Sequence, residues 1–248
     1  MRENQIMGLM DLKKKRFLKG IKDGLPICFG YLSVSFAFGI TCVGSGLSIF
    51  EAVAISMTNV TSAGQLAGVP IILAGGSFVE LAIAQFVINL RYSLMSVSLS
   101  QKFDKSIRLL DRFILAFVNT DEVFAVASSQ EGKLDRTYMY GLIITPYVGW
   151  SAGTLIGAVA GDILPDMVTS ALGLAIYGMF IAIVLVPSKK SKSTALCVIF
   201  AIVLSCIFYY TPVLKTIPQG FTIIICAVIA SVVFSIVAPI KTGEGEKS

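Results

Sequence analysis

The chain has 248 residues, of which 55% are hydrophobic and 14% charged, with a formal net charge of +5 and no histidine. Water-soluble domains carry about 25% charged residues, so a mean hydropathy of +0.83 excludes a soluble globular domain, and the same figures exclude a disordered chain. Lacking histidine, the chain has no Ser-His-Asp triad and no His-rich metal site. The five cysteines, scattered singly without a CxxC pair, suggest neither a disulfide framework nor a zinc site. Lys and Arg cluster between long apolar runs, the pattern of a membrane protein and not of a nucleic-acid binder. The expected class is an all-α, multi-pass integral membrane protein of the plasma membrane that is not an enzyme and needs no cofactor.

The chain opens with a basic amphipathic segment, residues 1–22, in which Leu9, Met10, Leu12, Phe17 and Leu18 interleave with Lys13, Lys14, Lys15, Arg16 and Lys19. Such a segment suits a cytoplasmic or interfacial position against anionic headgroups. The apolar stretch after it is too long for a cleavable signal core, so the first span is expected to be retained. Residues 23–240 form the membrane domain, and residues 241–248 a polar tail.

Within that domain apolar stretches lie at 24–46, 50–76, 78–100, 111–130, 138–161, 167–187, 193–210 and 219–238. Each approaches the ~20 residues needed to span a bilayer. Two are interrupted: 50–76 by Asn59-Val60-Thr61-Ser62-Ala63-Gly64-Gln65, and 111–130 by Asn119-Thr120-Asp121-Glu122. Charge placement tests whether these two cross. Lys13 to Lys22 and Lys189, Lys190 and Lys192 mark inner segments, and the turn around Asp162 and Asp166 suits the outside. The loop 101–112, with Lys102, Lys105, Arg108 and Arg112, also belongs inside. That holds if both broken stretches enter and return on one side, giving six spanning helices plus two re-entrant, broken helices, with both termini cytoplasmic. Eight plain spans remain the alternative. A span followed by a broken stretch then occurs twice, with opposite direction, which is an inverted repeat of the kind that places a transporter's site at its breaks.

The polar residues in these breaks are the candidate site. Irregular backbone at membrane depth is tolerated where it is buried or lines a cavity. Ser62, Gly64 and Gln65 begin a half-helix whose N–H groups and dipole favour a carboxylate, although small residues also serve helix packing. Asp121 and Glu122 are costly in a membrane, about 2.5–3.5 kcal/mol for a centred charge. They are either solvated or functional as proton-accepting and ammonium-binding groups. Arg91 is open to three roles: interfacial anchor, salt-bridge partner of Asp121 or Glu122, or receptor of a substrate carboxylate. Asn59, Asn89 and Asn119 complete the candidate binding set. Glu51 and Glu80 lie near stretch ends and suit the interface. Trp150 with Gly149, Gly153, Gly157 and Gly161 forms a small-residue face suited to close helix contact.

Taken in order, Gly24-Leu25-Pro26 with Gly30 and Phe38-Gly39, Ser62-Ala63-Gly64-Gln65, Asn89-Leu90-Arg91, Thr120-Asp121-Glu122 and the Trp150/Gly153/Gly157/Gly161 ladder resemble the AzlC family of branched-chain amino acid permeases. The family's usual Pro-Phe-Gly reads Pro26-Ile27-Cys28-Phe29-Gly30 here. The resemblance implies export of valine, leucine, isoleucine and analogues such as azaleucine. It also implies a small AzlD-like membrane partner, for which the Gly149 to Gly161 face offers a seat. No GxxxxGK[ST] motif occurs, so nothing in the chain supports ATP coupling, and the expected function is secondary export coupled to the proton gradient. A channel-like facilitator of small neutral solutes is the rival reading.

Single cysteines placed in 101–112 of a Cys-free chain should resist an impermeant thiol reagent added outside the cell. Labelling from outside would favour eight crossings.

Overall fold

In the computed structural model, residues 2–163, 191–217 and 219–238 are described, together with 165, 167, 181, 185, 188 and 189. The expected span 167–187 lies almost wholly outside them, as do Asp166, Lys190 and the tail 241–248. The described elements are helices: α1 Arg2–Gly44, α2 Ile49–Thr58, α3 Ser62–Leu73, α4 Phe78–Ser100, α5 Leu109–Phe117, α6 Asp121–Ser129, α7 Arg136–Ile163, α8 Lys192–Tyr210 and α9 Gln219–Val237. Four are long and apolar enough to span a bilayer, over Met10–Gly44, Phe78–Ser100, Arg136–Gly161 and Lys192–Tyr210. The chain is an all-α membrane protein. The basic segment and the first apolar stretch form one 43-residue helix, about 65 Å long, so the boundary expected at residue 22 is not a structural break.

Two compact units divide the chain, one of residues 1–66 and 89–176, the other of 67–88 and 177–248. The first is built on α1 and α7, which run parallel with backbones in contact. A Cβ on Gly141 would strike the Phe17 carbonyl, and one on Gly149 that of Cys28. On Gly153 it would strike that of Leu32, and on Gly157 that of Phe36. Gly20, Gly24 and Gly39 of α1 meet α7 equally closely. In a membrane, where lipid tails are as apolar as leucine, such close approach is what holds helices together. The small-residue face is thus occupied by α1 of the same chain, and it is not the open seat for a partner that the sequence suggested.

At one end of this pair the connections are knitted together. Arg16 Nε lies 2.9 Å from Asp135, Lys19 donates to Gln130 at 2.7 Å, and Tyr138 donates to Asp23 at 2.9 Å. The segment after α4 pairs with the segment before α7: Asp104 N–H donates to Leu134 O at 2.9 Å, and Leu134 N–H to Lys102 O at 2.8 Å. Lys102 Nζ also donates to the carbonyls of Ser128 and Gln130, both at 2.6 Å. The start of α5 and the end of α6 therefore meet at the same end, as a stretch that enters and returns requires. They meet beside the basic part of α1, and α4 runs opposite to α1.

Asp111, in the first turn of α5, anchors this foot. It accepts from Arg108 N–H at 2.8 Å and from the Tyr140 hydroxyl at 2.8 Å, and pairs with Arg136 at 2.9 Å. Burial alone would raise its carboxyl, but these donors outweigh burial and hold it below the usual carboxylate range. At the far end of α1, Gly46 takes φ +98°, a turn open to glycine. Ser48 and Glu51 then start α2 with a capping box, leaving Glu51 exposed as expected.

In the second unit α8 and α9 pack through Phe200 and Phe234, whose ring centroids lie 5.9 Å apart. Gly68 of α3 faces Leu81 and Gln85 of α4, and Glu80 is buried beside Gly76. Glu80, expected near the interface, lies in the first turn of α4.

Gly157→Leu should destabilise the protein by about 3 kcal/mol or more, since the added side chain collides with a backbone that cannot move. Gly30→Ala, which meets nothing within 4 Å, should add about 0.5–1 kcal/mol. Thermal melting in detergent distinguishes them.

Candidate functional site

Both interrupted stretches break in the same way. In the first, Thr61 N–H donates to Asn59 O at 2.9 Å; in the second, Thr120 N–H donates to Val118 O at 3.0 Å. Each three-residue turn ends on a threonine that caps the next half-helix. Thr61 Oγ1 accepts from Gly64 N–H at 3.1 Å, and Thr120 Oγ1 from Val123 N–H at 3.4 Å. A threonine immediately before an apolar run is a helix-start signal. Neither Thr61 nor Thr120 was among the candidate residues, although that signal was in the sequence.

Between the breaks lies α4, where Thr61 Oγ1 donates to Asn89 Oδ1 at 3.0 Å and Asn119 Nδ2 donates to Ser96 Oγ at 2.9 Å. A cavity of about 420 Å³ opens among Thr58–Thr61, α4 residues Asn89, Tyr92, Ser93 and Ser96, and Ala116, Phe117 and Asn119. Ligand pockets span about 300–1,000 Å³. A smaller cavity of about 230 Å³ shares Ser96, Ala116 and Asn119 with it, and continues past Leu99, Phe113 and Phe103 to Arg112. Asn119 is 4% exposed, and its Oδ1 has no hydrogen-bond partner. A buried acceptor left unmet costs about 1–3 kcal/mol, which marks this atom as one that a ligand would satisfy.

The fold brings Asn59, Asn89 and Asn119 together around the cavity, and leaves the other candidates outside its lining. Gln65 is buried, donating to Ser56 Oγ at 2.7 Å, and Ser56 bonds in turn to Thr154 of α7. Ser62 is half-buried and Gly64 buried behind the Thr61 cap. Of the three roles open to Arg91, the structure has the salt bridge: Nη2 lies 2.8 Å from Asp121 Oδ2, with both side chains about half exposed, at 55% and 45%. The guanidinium stacks on Tyr92, 4.8 Å from the ring centroid, and donates to its hydroxyl at 3.0 Å.

Asp121 and Glu122 occupy the first turn of α6, where the helix dipole favours negative charge. The Glu122 carboxylate bonds to the hydroxyl of Tyr31, which also bonds to Thr120. Tyr31 is 8% exposed and meets Trp150 edge-on, centroids 5.0 Å apart. Tyr31 and Tyr92 join the candidate site, and reading along the sequence missed both. Tyr31 lies within an ordinary apolar stretch, and only packing puts its hydroxyl against Glu122, whereas Tyr92 directly follows Arg91 in the chain.

No group of three or more His, Cys, Asp or Glu residues that could hold a metal ion occurs among the described residues.

A family model described as AzlC protein matches residues 26–164, which contain all the candidate residues. The chain is 31% identical over 194 residues to the inner membrane protein YgaZ of Escherichia coli (strain K12), covering 75% of this chain and 78% of that protein. It is 33% identical over 182 residues to an uncharacterized membrane protein of Archaeoglobus fulgidus, covering 73% and 79%. An uncharacterized membrane protein of Helicobacter pylori (strain 26695) is 24% identical over 202 residues, covering 77% and 87%. No solved structure matches the chain.

Thr120→Val keeps the shape of the cap and removes its oxygen, so it should lower stability by about 1–2 kcal/mol. Thr120→Ser should retain most of it, as read by thermal unfolding of the purified protein.

Proposed function

This chain belongs to the AzlC family, and from that membership we propose that it exports branched-chain amino acids as the large subunit of a two-component secondary transporter driven by the proton gradient. Membership and the membrane-protein relatives support a membrane transport role. The finer reading rests on one observation: a cavity at two facing helix breaks, lined by Asn119 with its unmet Oδ1.

An amino acid zwitterion suits that arrangement. Its carboxylate finds the start of α3, where the first-turn N–H groups of Ser62 and Ala63 have no acceptor within the helix. Arg91, already paired with Asp121, is a poorer receptor. The ammonium finds Asn119 Oδ1 in the cavity, with the carboxylates of Asp121 and Glu122 a few residues on, outside its lining. The aliphatic side chain fits against Val60, Ala116 and Phe117. Repeated breaks in oppositely running halves suit alternating access by one repeat moving against the other. A small AzlD-like protein is the proposed second component. Because α1 fills the Gly149 to Gly161 face, its seat lies on another surface.

Reconstituted with that partner in proteoliposomes, the chain should move radiolabelled valine and leucine against a concentration gradient when a pH gradient is imposed. Alone it should show little flux. Asp121→Asn with Glu122→Gln should abolish uphill movement without preventing insertion. Saturation-free flux that never runs uphill would point to a channel-like facilitator, and full activity of the isolated chain would remove the partner.

A further inference from the structure

Asp111 and Arg112 are neighbours in the first turn of α5, and they face different surroundings. Asp111 is 2% exposed and is committed to Arg108 N–H, Tyr140 and Arg136. It therefore leaves Arg112 unneutralised. Arg112 is exposed and has no ion pair among the described residues. Its guanidinium lies over the Phe103 ring, 5.9 Å from the centroid, and both residues line the smaller cavity.

Phe103 cannot follow a movement of Arg112. Its chain neighbours are tied to Leu134, Lys102 through its carbonyl at 2.8 Å and Asp104 through its N–H at 2.9 Å. Lys102 Nζ is held by two further carbonyls. The guanidinium, on a long exposed side chain, is the part free to swing. A carboxylate offers it a charge-assisted, two-bonded pair, which a ring face does not.

The cavity of about 230 Å³ behind them has two unlike walls. α4 contributes Ser96 and Ser100, whereas α5 contributes Leu109, Phe113 and Leu115. At its inner end is Asn119, which also lines the larger cavity and carries the unmet Oδ1. Arg112 and Asn119 stand about 10 Å apart at 1.5 Å per residue. A zwitterion with an aliphatic side chain has the same two faces, charges for the serines and hydrocarbon for the α5 wall. A small inorganic ion would meet that apolar wall with nothing to match it.

We propose that the smaller cavity is the passage by which substrate reaches the site, that Arg112 at its mouth first receives the substrate carboxylate, and that Phe103 is the fixed ring on which Arg112 closes. The inference rests on the transport reading above and deepens it. The charges of the loop 101–112 place this mouth on the cytoplasmic face, the side from which an exporter takes its substrate.

The test uses membrane vesicles from a host expressing the full chain with its AzlD-like partner. Exchange is followed with tritiated leucine. Leucinamide, which keeps the ammonium and the side chain and lacks the carboxylate, is the competitor. Arg112→Gln should raise the KM for leucine about fivefold and leave inhibition by leucinamide unchanged. Arg112→Lys should retain most of the leucine affinity. Lys105→Gln, which removes an equal charge from the same loop outside the cavity lining, should alter neither. Independently, Val97→Cys in a Cys-free chain should react with a water-soluble, impermeant thiol reagent added to inside-out vesicles, and leucine should slow that reaction.

An equal loss for leucine and leucinamide would overturn the role of Arg112. A cysteine that stays unreactive would overturn the passage and give the cavity to a lipid acyl chain, for which Val97, Leu109 and Phe113 are sufficiently exposed. Reaction unaffected by leucine would overturn it as well. Where Arg112→Gln does not insert, or leucinamide does not compete, the cysteine decides. If the unsubstituted protein moves no leucine, protection of the cysteine by leucine keeps the passage and overturns only the transport reading, and absence of protection overturns both.

Discussion

The contact between α1 and α7 is the constraint from which the first unit follows. Two helices without side chains between them at Gly149, Gly153 and Gly157 bring backbone against backbone, and the registration is set by where the glycines fall. Once it is set, Tyr31 must sit against Trp150, and Ser35, buried opposite Gly153, bonds back to the carbonyl of Tyr31 at 2.7 Å. α2 lies along the same α7, tied by Ser56 to Thr154 and by the Tyr147 hydroxyl to the Met57 carbonyl. The position of the first helix break is thus inherited from α7. A glycine ladder is a means of holding α1, α2 and α7 to one frame against which the breaks are placed.

The breaks themselves are inexpensive because they are capped. Each exposes the start of a half-helix, and each meets that cost with a threonine hydroxyl and a three-residue turn. The acids at the start of α6 are tolerated for related reasons: a helix N-terminus, a guanidinium for Asp121, and a hydroxyl for Glu122. Polar groups that would separately oppose insertion form two bonded clusters, while each break keeps a buried acceptor without a hydrogen-bond partner, Gln65 Oε1 in the first and Asn119 Oδ1 in the second. In a low-dielectric medium an unmet acceptor stands out more than a charge that has its partner.

Repetition gives the site its two-sidedness. The same turn and cap occur after α2 and after α5, and the long helices that precede the two broken stretches, α1 and α4, run in opposite directions. The α3 half-helix begins with neutral small residues, Ser62 and Ala63, and the α6 half-helix with Asp121 and Glu122. The zwitterion proposed as the substrate has the complementary division of charge.

The sequence by itself determined what depends on composition and on spacing along one element. It identified a helical membrane protein, its apolar stretches, the two interruptions at Asn59 to Gln65 and Asn119 to Glu122, the inward preference of the loop 101–112, and the ordered motifs of the family. These are local because a helix displays its periodicity, its charges and its breaks without reference to any other helix. The tertiary structure alone decided which surfaces meet. The Gly149 to Gly161 face closes on α1, Gln65 turns to Ser56 and not to the cavity, Arg91 chooses Asp121, and Tyr31, with no local mark, becomes the partner of Glu122. Each of those outcomes depends on the registration of helices distant in the chain, set by close packing of small residues, and no pattern within a single helix encodes it.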